Sequence, residues 1–113
     1  MPKRYLSATD ANRIADILVA IEHIKRYCRS VSESKFLLEP QIQDSVIRRL
    51  TIIGEAASKL SPEAKRGYSG IPWTDMIGMR HILVHDYGRS EILMLWRTVK
   101  NDLPTLEKAL RKK

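Results

Sequence analysis

Apolar residues recur along this chain at helical spacing. Ile14, Ile17, Leu18, Ile21 and Ile24 follow the i, i+3, i+4, i+7 pattern and predict a helix from about Thr9 or Asp10 to Ser30. Ser7, Thr9 or Asp10 is available to cap it. Glu22 lies one turn before Arg26, in register for an ion pair. "SVSESKF" then reads as a polar connection. A second stripe of Ile42, Val46, Leu50, Ile53, Ala57 and Leu60 predicts a helix from about Pro40 to Leu60, with Pro40 suited to the first helical position. Gly54 inside it costs up to about 1 kcal/mol against alanine and leaves room for a neighbouring backbone. "SPEAKRGYSGIP" reads as a turn-rich connection, with one short helical turn at Pro62 to Arg66. A third helix is expected from Pro72 or Trp73 to about Tyr87, with Trp73, Met76, Ile77, Ile82 and Leu83 as its apolar contacts and Gly88 as its stop. A fourth runs from Glu91 to about Leu110, capped by Ser90. Ile92, Leu95, Trp96, Val99, Leu103 and Leu106 face the core, and Pro104 should kink or break it. No segment alternates as a strand does. The expected fold is all-α, an antiparallel four-helix-type bundle forming a single domain over residues 1–113.

Composition narrows the setting. A chain of 113 residues, 43% of them hydrophobic, buries roughly two-thirds of its unfolded surface, so a core needs no staples. The lone cysteine, Cys28, excludes an internal disulfide and fits a reducing compartment. "MPKRYLSATD" has no apolar core of a leader, and no apolar run approaches a membrane span. A cytoplasmic location without membrane contact is the expectation. The formal net charge of +7 favours an acidic or nucleic-acid partner. Its sources are scattered along the chain: Lys25, Arg26 and Arg29; Arg48 and Arg49; Lys65 and Arg66; Arg111, Lys112 and Lys113. Only folding could gather them into one patch. Trp73 and Trp96 read as core or dimer-interface aromatics, Met76 and Met79 as packing residues, Cys28 as an inert small residue and "ALRKK" as a solvated tail.

Chemistry concentrates in "GMRHILVHDYGRS", residues 78 to 90. Three readings compete. In the first, Arg80 and His81 face water and His85 caps the last helical carbonyls. In the second, His81 and His85, four apart on one helix face, bind a metal. That site lacks a third ligand and the glutamate of the metalloprotease helix motif, so no metal is expected. In the third, His85 transfers protons near neutral pH while Arg80 grips a phosphate. RNA brings its own nucleophile, the 2′-hydroxyl, and needs no cofactor for that reaction. Arg80 and His85 lie about 140° apart round an ideal helix, so one copy converges poorly. A two-fold dimer packing two such helix ends would surround one cleft with two arginines and two histidines.

Arg80, His85 and Tyr87 match the R-x4-H-x-Y signature of the HEPN superfamily, and the chain resembles its HepT-like ribonuclease toxins. The likeness extends to "RRLTIIGEAASKLSPE" (48–63), "IPWTDMIGMRHILVHDY" (71–87) and "NDLPTLEKAL" (101–110). The resemblance implies a HEPN-like helical bundle dimerising around the third helix. It implies a metal-independent endoribonuclease that is the toxin of a toxin–antitoxin pair, with tRNA or mRNA as its target. The implied antitoxin is a minimal nucleotidyltransferase that attaches AMP to the motif tyrosine, here Tyr87. Arg80 would stabilise the scissile phosphate, and His85 would be general acid or base. His81 occupies a polar position that would assist binding, and Glu55 matches a recurring acidic position on the second helix. Glu55 has an alternative role as an ion-pair or cap residue, and Tyr87 as a half-buried aromatic at a helix end. The rival function is a non-catalytic helical adaptor that pairs with a nucleotidyltransferase and accepts AMP on Tyr87.

Overall fold

The computed structural model describes residues 6–79 and 89–112. Their order is α1 (Ala8–Cys28), α2 (Glu33–Leu38), α3 (Pro40–Ser58), α4 (Pro62–Gly67), α5 (Trp73–Gly78), α6 (Arg89–Arg97), a π-helical turn (Thr98–Asp102) and α7 (Leu103–Arg111). Among the described residues there is no strand, and the fold is all-α as expected. Three rods carry it: α1, α3, and the continuous run from α6 through the π-turn into α7. Ile17, Ile21 and Ile24 of α1 meet Val46, Leu50 and Ile53 of α3 in one core, which Ile92, Leu95, Val99, Leu103 and Leu106 complete from the third rod.

The rods start and stop for identifiable reasons. Ser7 caps α1, its Oγ accepting from the Asp10 N–H at 2.9 Å. Glu22 does not pair with Arg26. It accepts instead from Lys25 at 3.2 Å and meets Arg111 of α7 at 3.5 Å, because α7 brings a second cation across the surface. "SVSESKF" is not a plain connection. Ser32 caps α2 by accepting from the Lys35 N–H at 3.1 Å, and Phe36 is wholly buried. Pro40 starts α3, as expected from its missing donor. The predicted turn at Pro62 is a full short helix capped by Ser61. At the third rod, α6 begins at Arg89, so Ser90 sits inside the first turn rather than at the cap. Its hydroxyl donates to the Glu91 carboxylate at 3.2 Å.

Pro104 interrupts the regular α-helix, as expected, but the chain stays helical through it. In an α-helix its ring would press on the carbonyl four residues back. The chain widens into a π-turn just before it, where the Leu103 N–H reaches the Thr98 carbonyl, five residues back. The wider turn accommodates the ring and the helix resumes.

Asp10, an acid on the inner face of α1, locks the bottom of the bundle. It is 6% exposed. One carboxylate oxygen accepts from the Ser61 N–H at 3.0 Å and the other from the Ser61 hydroxyl at 2.6 Å. The same hydroxyl oxygen accepts from the Ala64 N–H at 3.1 Å, so Asp10 orients the cap of α4. The Ser61 hydroxyl, then the Ser61 N–H, hold the Asp10 carboxyl below the ordinary value against the opposing effect of burial. A depressed folded-state value stabilises the fold above the unfolded value of about 4 and is lost as pH falls through the folded one. Asp10→Asn is therefore expected to cost about 1–3 kcal/mol at pH 7. Its urea midpoint should also fall less than the wild type's between pH 5 and pH 2. Parallel midpoint curves for the two proteins would contradict this.

Candidate active site

The motif lies where α5 leads towards α6. Arg80, His81, His85 and Tyr87 all lie outside the described residues, as do Ile82, Leu83 and the expected stop at Gly88. The expected third helix is thus described only over Trp73–Gly78, with Met79 in a tighter turn.

What flanks the motif is well anchored. Pro72 precedes α5 and its carbonyl accepts from the Met76 N–H at 3.1 Å. The Trp73 indole N–H donates to the carbonyls of Lys65 and Tyr68 at 3.1 and 3.2 Å, so a half-buried aromatic ties α5 to the end of α4. Met76 is buried, and α5 packs on α3. A cavity of about 280 Å³ separates α5 from α7, floored by Ile71, Met76, Leu103 and Leu106 and edged by Asp75 and Asp102. Met79, the residue before Arg80, lines it.

Glu55 is exposed on α3. Its carboxylate has no ion-pair or hydrogen-bond partner among the described residues. Only its backbone carbonyl is engaged, accepting from the Ser58 hydroxyl at 2.7 Å. Gly54 beside it is buried, as a position kept small for close approach would be.

Folding does gather part of the basic charge. Lys25 of α1 and Arg29 just after it share a concavity with Lys100 of the π-turn, a juxtaposition that no local spacing announces. Arg49 turns inward, its Nε donating to the Tyr27 hydroxyl at 3.3 Å, and Arg66 pairs with Glu63 at 3.8 Å. Cys28 is buried, and burial pushes its thiol up while the charge of Lys100 pulls it back. That is an unreactive thiol. Trp96 is buried in the core, as one of the two readings for it required. Among the described residues, no three His, Cys, Asp or Glu side chains cluster as metal ligands, and no helix is long and apolar enough to cross a membrane.

An all-α bundle with an R-x4-H-x-Y segment joining two of its helices has the make-up of a HEPN-superfamily protein. Within that class the chain belongs to the HepT-like ribonuclease family: residues 17–112 match the family described as "Ribonuclease HepT-like". It is similar to a protein named "Probable ribonuclease HepT" from Thermococcus cleftensis, at 40% identity over 83% of this chain and 86% of that protein. Two Methanocaldococcus jannaschii proteins named as candidate RNases are each 32% identical. One alignment spans 82% of this chain and 85% of that protein. The other spans 99% and 93%. No solved structure matches the chain significantly.

Proposed function

We propose that this protein is a metal-independent endoribonuclease acting as a homodimer, and the toxin of a toxin–antitoxin pair. The observation that carries the reading is the coincidence of two facts. The family match runs through the whole of Arg80–Tyr87, and the intact R-x4-H-x-Y motif stands there. Family relatives named as ribonucleases support RNA as the substrate. The basic surface suits a polyanion.

In the proposed reaction His85 takes the proton of the RNA 2′-hydroxyl, and that oxygen attacks the adjacent phosphorus. The bond from phosphorus to the 5′-oxygen breaks, and the leaving oxygen receives a proton from the partner copy's imidazole or from solvent. The products are a 2′,3′-cyclic phosphate and a 5′-hydroxyl. Arg80 offsets the charge gathering on the phosphate oxygens by paired N–H donors. His81 assists in binding, and Glu55 contributes a carboxylate from α3, the helix on which α5 packs. The dimer brings a second Arg80 and His85 to the cleft. Leu38 and Met94, 78% and 64% exposed on the mutually packed α2 and α6, are apolar surface of the kind a second copy covers.

Tyr87 is two residues from His85. A nucleotidyltransferase antitoxin that esterifies its phenol with AMP would set a bulky anion beside the positive cleft. That anion would compete with RNA for Arg80.

Incubation of the purified protein with RNA in excess EDTA tests the chemistry. Cleavage is expected to continue at the metal-replete rate, and to end in cyclic phosphates. Cleavage that stops with EDTA and returns with a divalent ion would overturn the proposal. Mass spectrometry after co-expression with the neighbouring nucleotidyltransferase should find added AMP on the peptide carrying Tyr87, and none on Tyr87→Phe.

A further inference from the structure

An open concavity of about 440 Å³ lies between the C-terminal end of α1 and the π-turn. Lys25, Cys28, Arg29, Ser30, Lys100 and Pro104 line it, and it shares no residue with the groove beside α5. Two features of it bear on anion binding, its charge and the backbone that shapes its walls.

The first is charge left unmatched. Lys25 contacts Glu22 and Glu107, each at 3.2 Å, and Arg111 contacts the same two carboxylates at 3.5 and 3.1 Å. Two cations and two anions there cancel. Arg29 and Lys100 have no carboxylate partner among the described residues. The Lys100 ammonium stands 4.7 Å from the Trp96 ring centre, which places it without neutralising it. The cup therefore carries a surplus of two positive charges.

The second is the backbone. Ser30 has φ of 65°, the only described non-glycine residue in the left-handed region. That conformation is costly for a side chain other than glycine or asparagine. The π-turn that accommodates Pro104 forms the opposite wall and carries Lys100. Both departures from regular geometry border the same cup, and Ser30 is exposed in it. The turn that ends α1 imposes this φ, with Arg29 at φ −62° and ψ 129° and the Val31 N–H donating to the Cys28 carbonyl at 3.0 Å, and it seats Ser30 in the lining of the cup.

We propose that this concavity binds phosphodiester groups of an RNA strand, with Arg29 and Lys100 as the phosphate-neutralising cations and the Ser30 hydroxyl as a third donor. The choice of RNA rests on the nuclease reading. The guanidinium fork of Arg29 fits two phosphate oxygens and Lys100 supplies a point charge. None of its lining residues belongs to the Arg80–Tyr87 motif, so on the nuclease reading the cup grips nucleotides beyond the scissile one and sets affinity for long substrates.

The probe is a fluorescein-labelled 2′-O-methyl oligoribonucleotide, which has no free 2′-hydroxyl and cannot be cut by the proposed reaction. Its binding is followed by anisotropy across a salt series. Each single-strand phosphate contact contributes about 0.7 to the slope of log K against log salt. The double variant Arg29→Gln/Lys100→Gln is expected to lose roughly 1.4 from that slope and to bind roughly 10–30-fold more weakly at 0.1 M salt. Both side chains are exposed, so the fold should persist, and circular dichroism checks it. An equal charge loss at Lys59→Gln/Arg66→Gln should leave the slope as in wild type. The swap Arg29→Lys/Lys100→Arg should restore it.

Equal slopes for wild type and the first variant overturn the site, as do equal losses in both double variants. A variant that keeps its RNA slope yet loses binding to poly-glutamate assigns the cup to an acidic protein and also overturns it. Cleavage of unmodified RNA is read on the same samples. A wild type that cuts RNA while the slopes stay equal sinks the concavity alone. A wild type that never cuts, while the slope falls as expected, sinks the nuclease reading and leaves the cup as a polyanion site.

Discussion

Replacing His85 with alanine should lower RNA cleavage by about 10²–10⁴-fold while leaving helical content intact. That is the range over which a positioned proton donor or acceptor acts. The expectation rests on chemistry rather than burial. An imidazole is the side chain whose ordinary pKa lets it both take and give a proton near neutrality. Transesterification by a 2′-hydroxyl needs both transfers. Arg80→Ala should be comparably damaging, since on the proposed reading it removes the charge that offsets the phosphate. Arg80→Lys should recover only part, because an ammonium lacks the paired planar donors. The readouts are the rate of cyclic-phosphate formation in vitro and growth arrest on expression without the nucleotidyltransferase. A His85→Ala protein that still cuts and still arrests growth would leave the adaptor role as the better reading, with Tyr87 an AMP acceptor and nothing more.

Much of the fold is legible in the sequence because its long helices bury one stripe each. The stripes of α1, α3 and the third rod predict most of their core residues, since helical period and burial are two views of one constraint, but they miss Ala20, Ile47, Ala56 and Leu110, and Leu18 and Ile42 are only partly buried. What local pattern does not supply are choices made between elements. Glu22 has a sequence neighbour of the right charge in Arg26, yet Lys25 and the distant Arg111 take it. Asp10 looks like a capping residue, but Ser7 caps and Asp10 reaches across to Ser61. "SVSESKF" is too short and polar to show a helical stripe, and only the pocket around Phe36 makes it one. Pro104 signals a break on propensity alone, whereas the rod's burial on both sides of it favours a wider turn. The candidate site divides likewise. The Arg80–Tyr87 motif is visible as residue types at a spacing. The pairing of Arg29 with Lys100 joins α1 to the π-turn and has no local signature.

Phe36→Ala should destabilise the fold by about 3–5 kcal/mol, more than the loss of the Asp10 carboxylate. Phe36 is 0% exposed and its ring lies 5.0 Å from Trp96 at a 40° tilt, an edge-inclined aromatic pair. The helix that carries it, α2, has six residues and cannot persist on its own hydrogen bonds. Its hold on the bundle comes mainly from this ring, with Leu37 packed beside the core. A single tether reinforces it: the buried Gln43 side chain donates to the Phe36 carbonyl at 2.8 Å. Truncation leaves a cavity under α2 and removes Trp96's aromatic neighbour, so α6 loses packing just after the motif segment. For a domain whose total stability is of order 5–15 kcal/mol, the urea midpoint should fall by about a fifth or more. Phe36→Leu, which refills most of the volume, should recover more than half of that loss. A fall of less than about 1 kcal/mol for the alanine variant would mean that α2 is held by something other than this ring, and that "SVSESKF" is closer to a plain connection than its burial implies.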